Sequence, residues 1–419
     1  MLWEEGGSVT SDWKKKFVVI YAGQAFSLLG SAAVQFAVIW WLTVQTGSAI
    51  TLALATIVSC LPNMIIGPFA GVWVDKYNRR TVMIGADGLV ALSSLILGAA
   101  FMISRTPPVG LVYIIFFLRG LGNTFHAPAM QAAIPLFVPT DKLSKAGGWG
   151  NLITSISAMA GPVLGAVLME CLPVFAVMLV DILGAAFAIG CLLTVSIPDV
   201  PGSRQKLRLK DDLKRGFRAM KSNRPLMGAL FPILFSTVLY MPLGSLFPLL
   251  VRLHYAGGAE HTAIVECVFS AGLLLSSLTM GLWGSSYRRF RMISASIFVM
   301  GLTAAISGVL PTEAFGGFVI CCLIMGASGT FFNVPLMAYI QETVPPDVMG
   351  KVFSALSAAM TLSTPFGLLI AGPVSETVGV AGWFWVSGIL MAASGLVCFL
   401  ATRRYDGSSG CGSDGRKKD

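Results

Sequence analysis

The sequence predicts an all-α integral membrane protein whose twelve transmembrane helices form two parallel six-helix bundles. Three observations support this fold class. Hydrophobic residues make up 55% of the 419 residues and charged residues only 12%, whereas an ordinary globular domain carries about 25% charged residues. Uncharged stretches along the chain are long enough to cross a bilayer. Finally, a sequence motif returns after half the chain length.

The uncharged stretches mark the individual helices. Residues 17–74 contain no Asp, Glu, Lys or Arg. Because about 20 apolar residues cross a bilayer core, this stretch holds two spans, which reverse direction at residues 46–48. The same reasoning predicts twelve helices, numbered 1 to 12 in chain order: 17–45, 49–74, 81–104, 109–137, 144–169, 173–197, 226–251, 260–284, 291–311, 314–341, 351–375 and 380–402.

Two repeats relate the halves of the chain. Residues 71–77 (Gly-Val-Trp-Val-Asp-Lys-Tyr) return in degenerate form at 281–287 (Gly-Leu-Trp-Gly-Ser-Ser-Tyr), each time beside a cluster of arginines. A second repeat relates residues 124–141 to residues 330–347. Six predicted spans separate the two copies, and an even number returns both copies to the same side of the membrane. The halves are therefore parallel repeats, as in secondary transporters.

The predicted spans divide the chain into five parts. The linker between the halves repeats apolar residues at helical spacing among lysines and arginines. This pattern favours either a basic amphipathic helix on the inner leaflet or a simple tether. The parts are a cytoplasmic N-terminus (1–16), an N-terminal six-helix bundle (17–198), a basic cytoplasmic linker (199–225), a C-terminal six-helix bundle (226–402) and a disordered cytoplasmic tail (403–419).

The basic residues predict the orientation of the chain. On the predicted topology, 26 of the 29 Lys and Arg residues fall on one side of the membrane. Cytoplasmic loops carry such an excess, so both termini and the linker are expected in the cytoplasm. The net charge of +9 then follows from topology, and no nucleic-acid partner is expected. The first apolar run is too long for a signal peptide and is expected to remain as an anchor in the plasma or inner membrane.

With its two parallel halves, the chain resembles the major facilitator superfamily, and residues 71–80 look like that superfamily's signature loop between helices 2 and 3. The resemblance implies a cytoplasmic gate, in which Asp75 interacts with the N-terminal end of helix 11. It also implies that Arg79 or Arg80 meets an acid such as Asp87. Gly71 is the first residue of the motif and belongs to the predicted gate. In the second copy Ser replaces the acidic residue, so only the first half keeps a charged gate.

Further runs narrow the resemblance. Helix 5 carries Gly161, Pro162 and Gly165 in a Gly-Pro-x-x-Gly pattern, which looks like the core of the antiporter motif. Five short runs look like the macrolide-efflux (Mef-type) branch of drug/proton antiporters. These runs are residues 22–27, 47–49, 83–87, 125–128 and 240–242.

Charged residues within the spans are the candidates for proton coupling. Arg119 lies in the middle of helix 4, where an isolated charge costs about 2.5–3.5 kcal/mol. Asp181 on helix 6 and Glu266 on helix 8 are the acids available to pair with it. One hypothesis is that Glu266 or Asp181 takes up a proton while Arg119 adjusts its proton affinity; the alternative is a static ion pair. His126 shares a helix face with Arg119 and is either part of this proton path or a packing residue.

The family resemblance implies that helices 1, 4, 7 and 10 surround a central cavity. Polar stripes on membrane helices face protein or water, because lipid offers no hydrogen bonds. Amides and aromatic rings with few fixed charges suit a large amphiphile better than a sugar or an amino acid. The predicted substrate contacts are Gln24, Ser31, Gln35, Asn123, Tyr240, Phe332 and Asn333.

The sequence therefore predicts proton-coupled secondary active efflux of hydrophobic or amphiphilic compounds by alternating access, with macrolide-type antibiotics favoured. Export of an endogenous metabolite such as a siderophore, lipid flipping and a transport-inactive membrane sensor remain alternatives. No nucleophile–base pair or metal-ligand constellation stands out, so neither an enzyme nor a cofactor or metal site is expected. The expected partners are a small amphiphilic substrate, protons and the bilayer. The chain is expected to be monomeric, and a separate ATP-binding partner protein is left open.

Overall fold

The computed structural model describes residues 9–104, 106–196, 217–221, 223–283 and 288–405. Within these ranges, twelve helices are long and apolar enough, by length and composition, to cross a membrane. This number confirms the all-α, twelve-helix fold class predicted from the sequence. Apart from residues 217–221, the amphipathic stretch of the linker lies outside the described residues, as does the Ser of the second signature motif.

The twelve helices keep the numbering of the predicted spans. A short 3₁₀ helix, Thr140–Lys142, lies between the fourth and fifth. The helices are α1 (Val9–Thr46), α2 (Ala49–Lys76), α3 (Arg79–Ile103), α4 (Val109–Phe137), α5 (Leu143–Cys171), α6 (Val174–Thr194), α7 (Arg224–Leu253), α8 (Ala259–Trp283), α9 (Arg289–Val309), α10 (Phe315–Thr343), α11 (Pro346–Val378) and α12 (Val380–Thr402).

Helix boundaries differ from the prediction mainly where a helix continues beyond its apolar run. α1 begins at Val9 rather than at residue 17, and α11 begins at Pro346 rather than at residue 351. Proline is well suited to the first turn of a helix, since its missing N–H needs no partner there. Between α1 and α2 the chain reverses at Gly47, whose φ of +58° glycine adopts without the steric cost of a side chain.

Contacts within the chain divide it into two compact units. Unit 1 comprises Met1–Trp41 with Val58–Leu207, and unit 2 comprises Leu42–Ile57 with Arg208–Asp419. The α1–α2 turn thus belongs to unit 2, where Ser48 Oγ donates a 2.5 Å hydrogen bond to the Glu376 carboxylate of α11. The division at residues 198 and 226 that the sequence favours remains a prediction.

Each unit repeats the same internal packing. In unit 1, α3 packs against α4 and α6, and in unit 2, α9 packs against α10 and α12. A Cβ atom on Gly120 of α4 would overlap the Ser59 carbonyl of α2, and one on Gly326 of α10 would overlap the Phe269 carbonyl of α8. Small residues allow membrane helices to approach closely and pack, since lipid provides no hydrophobic drive between them. The duplication visible in the sequence is therefore also a duplication of helix contacts.

Candidate transport site

Unit 1 contains a cavity of about 270 Å³ between α1, α2, α3 and α4, called the polar cavity below. Charged and amide side chains line it, although the surrounding helices are otherwise apolar. All four residues of unit 1 that the sequence predicts as substrate contacts line this cavity. Its polar lining residues are Gln24, Ser27, Ser31, Gln35, Ser59, Asp87, Arg119, Asn123 and His126.

A buried ion pair stands at the wall of the polar cavity. Of the two acids predicted as partners of Arg119, the structure pairs it with Asp181, whose side chain is fully buried. Arg119 Nη1 also donates to Ser94 Oγ (2.7 Å), and Arg119 Nη2 donates to the Ser31 carbonyl (3.2 Å). The Asp181 carboxylate accepts from Ser31 Oγ and Ser94 Oγ, each at 2.5 Å. The network therefore joins α1, α3, α4 and α6 and satisfies both charges.

Asp87 of α3 has different partners from those implied by the family resemblance. Its Oδ2 accepts a 3.2 Å hydrogen bond from Gln24 Nε2, and its Oδ1 lies 3.6 Å from His126 Nε2. The expectation that Asp87 meets Arg79 or Arg80 is corrected by these contacts. Asp87 lies two helical turns into α3, on the face that lines the polar cavity, and not at the helix end where the arginines lie.

The signature loop is organised around the start of α3. Asn78 caps that helix, since its side chain accepts hydrogen bonds from the backbone N–H groups of Arg80 (3.0 Å) and Thr81 (3.4 Å), as N-cap residues commonly do. Arg79 lies 3.4 Å from Asp75, and Arg80 donates a 2.5 Å hydrogen bond to the Leu193 carbonyl of α6. These contacts join α2, α3 and α6 within unit 1.

Two residues of the signature motif are less constrained within unit 1. Gly71 has open space around the position of a Cβ atom, so packing within its unit does not require glycine there. Asp75 is half-exposed, and an exposed ion pair contributes only about 0–1 kcal/mol. The predicted partner of Asp75 on helix 11 belongs to unit 2, and the gate remains a prediction.

The glycines of the antiporter motif allow α5 to lie against α1. A Cβ atom on Gly161 would overlap the Ala32 side chain, and one on Gly165 would lie 2.6 Å from the Ala33 carbonyl oxygen. Pro162 lies within the same helix and removes one of its backbone donors. Unit 2 repeats the contact, because a Cβ atom on Gly367 of α11 would overlap the Val238 carbonyl of α7.

Unit 2 contains a pocket of about 120 Å³ between α7, α9, α10, α11 and α12, called the apolar pocket below. All three residues of unit 2 that the sequence predicts as substrate contacts line it, and half of its lining residues are methionine or isoleucine. Its lining residues are Ile233, Ser236, Thr237, Tyr240, Met241, Ile297, Met300, Gly329, Phe332, Asn333, Met360 and Met391.

The two cavities share three pairs of equivalent helices, since α1, α3 and α4 line one and α7, α9 and α10 line the other. On the offsets of the two sequence repeats, Asp87 of the polar cavity corresponds to Ile297 of the apolar pocket, and His126 corresponds to Phe332. The apolar pocket therefore carries apolar side chains where the polar cavity carries a carboxylate and an imidazole.

Glu266 of α8 is the remaining predicted proton-coupling residue. It lies partly buried in unit 2, and it makes no hydrogen bond or ion pair with any residue that the structure describes. It lines neither the polar cavity nor the apolar pocket. Its part in proton coupling remains a prediction.

Sequence reasoning missed several residues of the site. Ser94 bridges the ion pair, and Met300, Met360 and Met391 line the apolar pocket. Serine and methionine are common in membrane helices, so their residue type alone carries no signal.

No group of three or more His, Cys, Asp or Glu side chains in the described ranges could hold a metal ion. Around the polar cavity, the polar groups form the Arg119–Asp181 ion pair and an amide–carboxylate–imidazole cluster. Such groups can bind a polar part of a small molecule or exchange a proton.

Comparison with known proteins identifies the family. Residues 11–409 match the family described as transmembrane secretion effectors. The chain belongs to this family. It is a major facilitator superfamily transporter and a multi-pass membrane protein, which confirms the resemblance noted in the sequence.

Two relatives with high sequence identity are named as efflux proteins. The chain is 37% identical over 394 residues to macrolide efflux protein A of Streptococcus pyogenes, an alignment that covers 93% of this chain and 96% of that protein. It is 36% identical over 325 residues to macrolide efflux protein A of Enterococcus faecalis, covering 77% of this chain and all of that protein. This transporter is therefore of the macrolide-efflux type.

A solved structure supports the fold independently. A bacterial homologue of the human lysosomal transporter Spinster, in an inward-facing and unoccupied conformation, aligns with a TM-score of 0.74 at 11% identity. The alignment covers 95% of this chain and 98% of that one. At this identity the likeness concerns the fold alone.

Proposed function

We propose that this transporter exports hydrophobic or amphiphilic compounds across the cell membrane, macrolide-type antibiotics in particular, in exchange for protons. The observation that carries the proposal is the apolar pocket of unit 2, which is lined mainly by methionine, isoleucine and aromatic side chains. A hydrophobic or amphiphilic compound presents apolar surface to such a pocket, whereas a sugar or an amino acid presents little. The relatives named macrolide efflux protein support the same substrate class.

The proposed mechanism is alternating access, in which the substrate site opens first to one side of the membrane and then to the other. Basic residues flank the spans mainly on one predicted side, which supports cytoplasmic termini. Asp75, Arg79 and Arg80 would then act at the cytoplasmic end as a gate that stabilises one of the two states. A ligand can shift such an equilibrium only by its differential affinity for the two states.

The proton gradient limits what one transport cycle can achieve. One charge moving through 100 mV supplies about 2.3 kcal/mol, and a tenfold concentration difference costs about 1.4 kcal/mol. One proton thus supports roughly 50-fold extrusion of a neutral compound. The candidate proton carriers are three acids that lie more than one helical turn from the ends of their spans, Asp87, Asp181 and Glu266. The proposal needs no ATP hydrolysis by this chain, which is expected to act as a monomer.

Drug susceptibility of a host that lacks its own efflux pumps tests the proposal. The full chain is expressed, and the inhibitory concentrations of macrolides and of unrelated antibiotics are measured with and without an uncoupler. We expect higher macrolide tolerance that the uncoupler abolishes. If tolerance to no compound changes while the protein is present in the membrane, antibiotic export is wrong and export of an endogenous metabolite becomes the better account.

A further inference from the structure

The two acids beside the polar cavity differ in how fully their oxygen atoms are occupied. Asp181 is fully buried and accepts hydrogen bonds from Ser31, Ser94 and Arg119, so both oxygens are bound and a cation is in direct contact. A proton added there would displace a donor and leave the Arg119 guanidinium buried without an anion, which is costly. The structure of this network therefore favours a permanently charged pair.

Asp87 is bound far more loosely, although it is also buried. Among the described residues, its one hydrogen-bond donor is the neutral Gln24 amide on Oδ2, and its Oδ1 faces His126 Nε2 at 3.6 Å, beyond hydrogen-bond distance. His126 Nε2 is itself buried and has no hydrogen-bond partner among the described residues. A shift of about 0.7 Å would bring the two groups into a normal hydrogen bond.

We propose that Asp87 and His126 together hold the exchangeable proton, and that Arg119 and Asp181 form a fixed pair that positions the helices around them. This inference rests on the proposed proton-coupled export and names its proton site. Around the polar cavity, α4 contributes Arg119 and His126 and α6 contributes Asp181 as the groups that carry or can carry charge. The contributions of α1 and α2 to the lining are uncharged.

The balance of charge shows what one proton does in this site. With His126 neutral, Arg119, Asp181 and Asp87 sum to one negative charge. One proton taken from the outer solution, and held on the Asp87 carboxyl or on the His126 imidazole, brings the site to neutrality. The same proton leaves to the cytoplasm when the site opens inward, and no covalent bond between heavy atoms forms or breaks. Because a net charge inside the membrane is costly, proton binding changes the free energy of the step in which the site switches from one side of the membrane to the other.

The repeat provides a comparison within the chain. At the positions of Asp87 and His126, unit 2 carries Ile297 and Phe332, which line the apolar pocket. Unit 2 therefore keeps the cavity but has no ionisable pair in it. Both the residue types and the contacts of Asp87 and His126 therefore support proton exchange in unit 1.

Reconstituted vesicles test the inference. The purified full chain is placed in proteoliposomes, and uptake of radiolabelled erythromycin is measured in two ways: driven by an imposed pH gradient, and as exchange against unlabelled erythromycin without a gradient. Asp87→Asn should reduce gradient-driven uptake to the level of protein-free vesicles while exchange persists and loses its pH dependence. His126→Gln should move the pH of half-maximal exchange by about one unit. The exposed Glu313→Gln serves as the matched carboxyl control.

The contrasting variant is Arg119→Met combined with Asp181→Met, which replaces the pair by two apolar side chains. Well-packed apolar residues can replace a buried ion pair, so the ratio of gradient-driven uptake to exchange should stay within about threefold of the wild-type ratio. Gradient-driven uptake by Asp87→Asn equal to wild type would overturn the inference alone. The inference also fails if the double methionine variant exchanges erythromycin normally but has lost its response to the gradient. A wild-type chain with no response to the gradient would overturn the proposed function as well.

Discussion

The polar cavity of unit 1 and the apolar pocket of unit 2 share three pairs of equivalent helices in a duplicated six-helix scaffold. Their frameworks agree closely, since equivalent glycines bring equivalent helices together in both units. Their linings do not agree, because Ile297 and Phe332 stand in unit 2 where unit 1 carries Asp87 and His126. This difference shows that helix packing and site chemistry can vary separately in such a repeat. One unit can then bind a proton while the other binds the apolar body of a substrate.

The largest effect is expected from breaking the ion pair of unit 1 on one side only. Arg119→Met leaves the fully buried Asp181 charge without its cation, and loss of one partner of a buried pair costs about 3–5 kcal/mol. Thermal unfolding in detergent, followed by tryptophan fluorescence, should show a strongly lowered midpoint. Adding Asp181→Met should restore most of the lost stability. A single variant as stable as wild type would mean that the pair does not hold unit 1 together.

A smaller effect is expected in the apolar pocket. Phe332→Ala removes a partly buried aromatic ring and, at about 1.4 kcal/mol for a tenfold change, should raise the half-saturating macrolide concentration about tenfold. The pH dependence of transport should not change, because the pocket contains no ionisable pair. Vesicle transport at several macrolide concentrations measures both quantities. An altered pH profile with unchanged saturation would contradict the division of roles between the units.

The shared framework predicts equal sensitivity in the two units. Gly161→Val places a side chain where α5 meets α1, and Gly367→Val places one where α11 meets α7. Overpacking of this kind costs about 1–3 kcal/mol, so both midpoints of unfolding should fall by similar amounts. Gly148→Ala on α5, where a Cβ atom meets open space, is the matched control. If only one of the two valine variants lowers the midpoint of unfolding, the two units are not equivalent in packing.

The smallest effect is expected at Glu266, which lines neither cavity. Glu266→Gln should leave gradient-driven uptake within about twofold of wild type, because the neutral amide keeps the size of the side chain and only removes its charge. Uptake by this variant is measured beside Asp87→Asn in the same vesicle preparation. A loss at Glu266 with Asp87→Asn unaffected would move the proton site to unit 2 and reverse the comparison.

Much of the fold was predictable, because a bilayer imposes a length and an apolar composition on each span. The predicted helix at 260–284 is observed at Ala259–Trp283, although Glu260 and Glu266 interrupt its apolar run. The partners of individual side chains were less predictable. Gln24 and Asp87 are 63 residues apart, and their contact depends on which faces of α1 and α3 meet. The sequence supplied the candidate acids for Arg119, but only the helix packing distinguished between them.

Simultaneous recording of protons and macrolide in one vesicle population tests the central claim most directly. A pH-sensitive dye inside proteoliposomes of the wild-type chain reports proton movement while radiolabelled macrolide is followed across the same membrane. The account predicts that a macrolide gradient alone drives protons in the opposite direction, and that Asp87→Asn abolishes this proton signal while macrolide exchange continues. Macrolide movement by the wild type with no accompanying proton movement would contradict it.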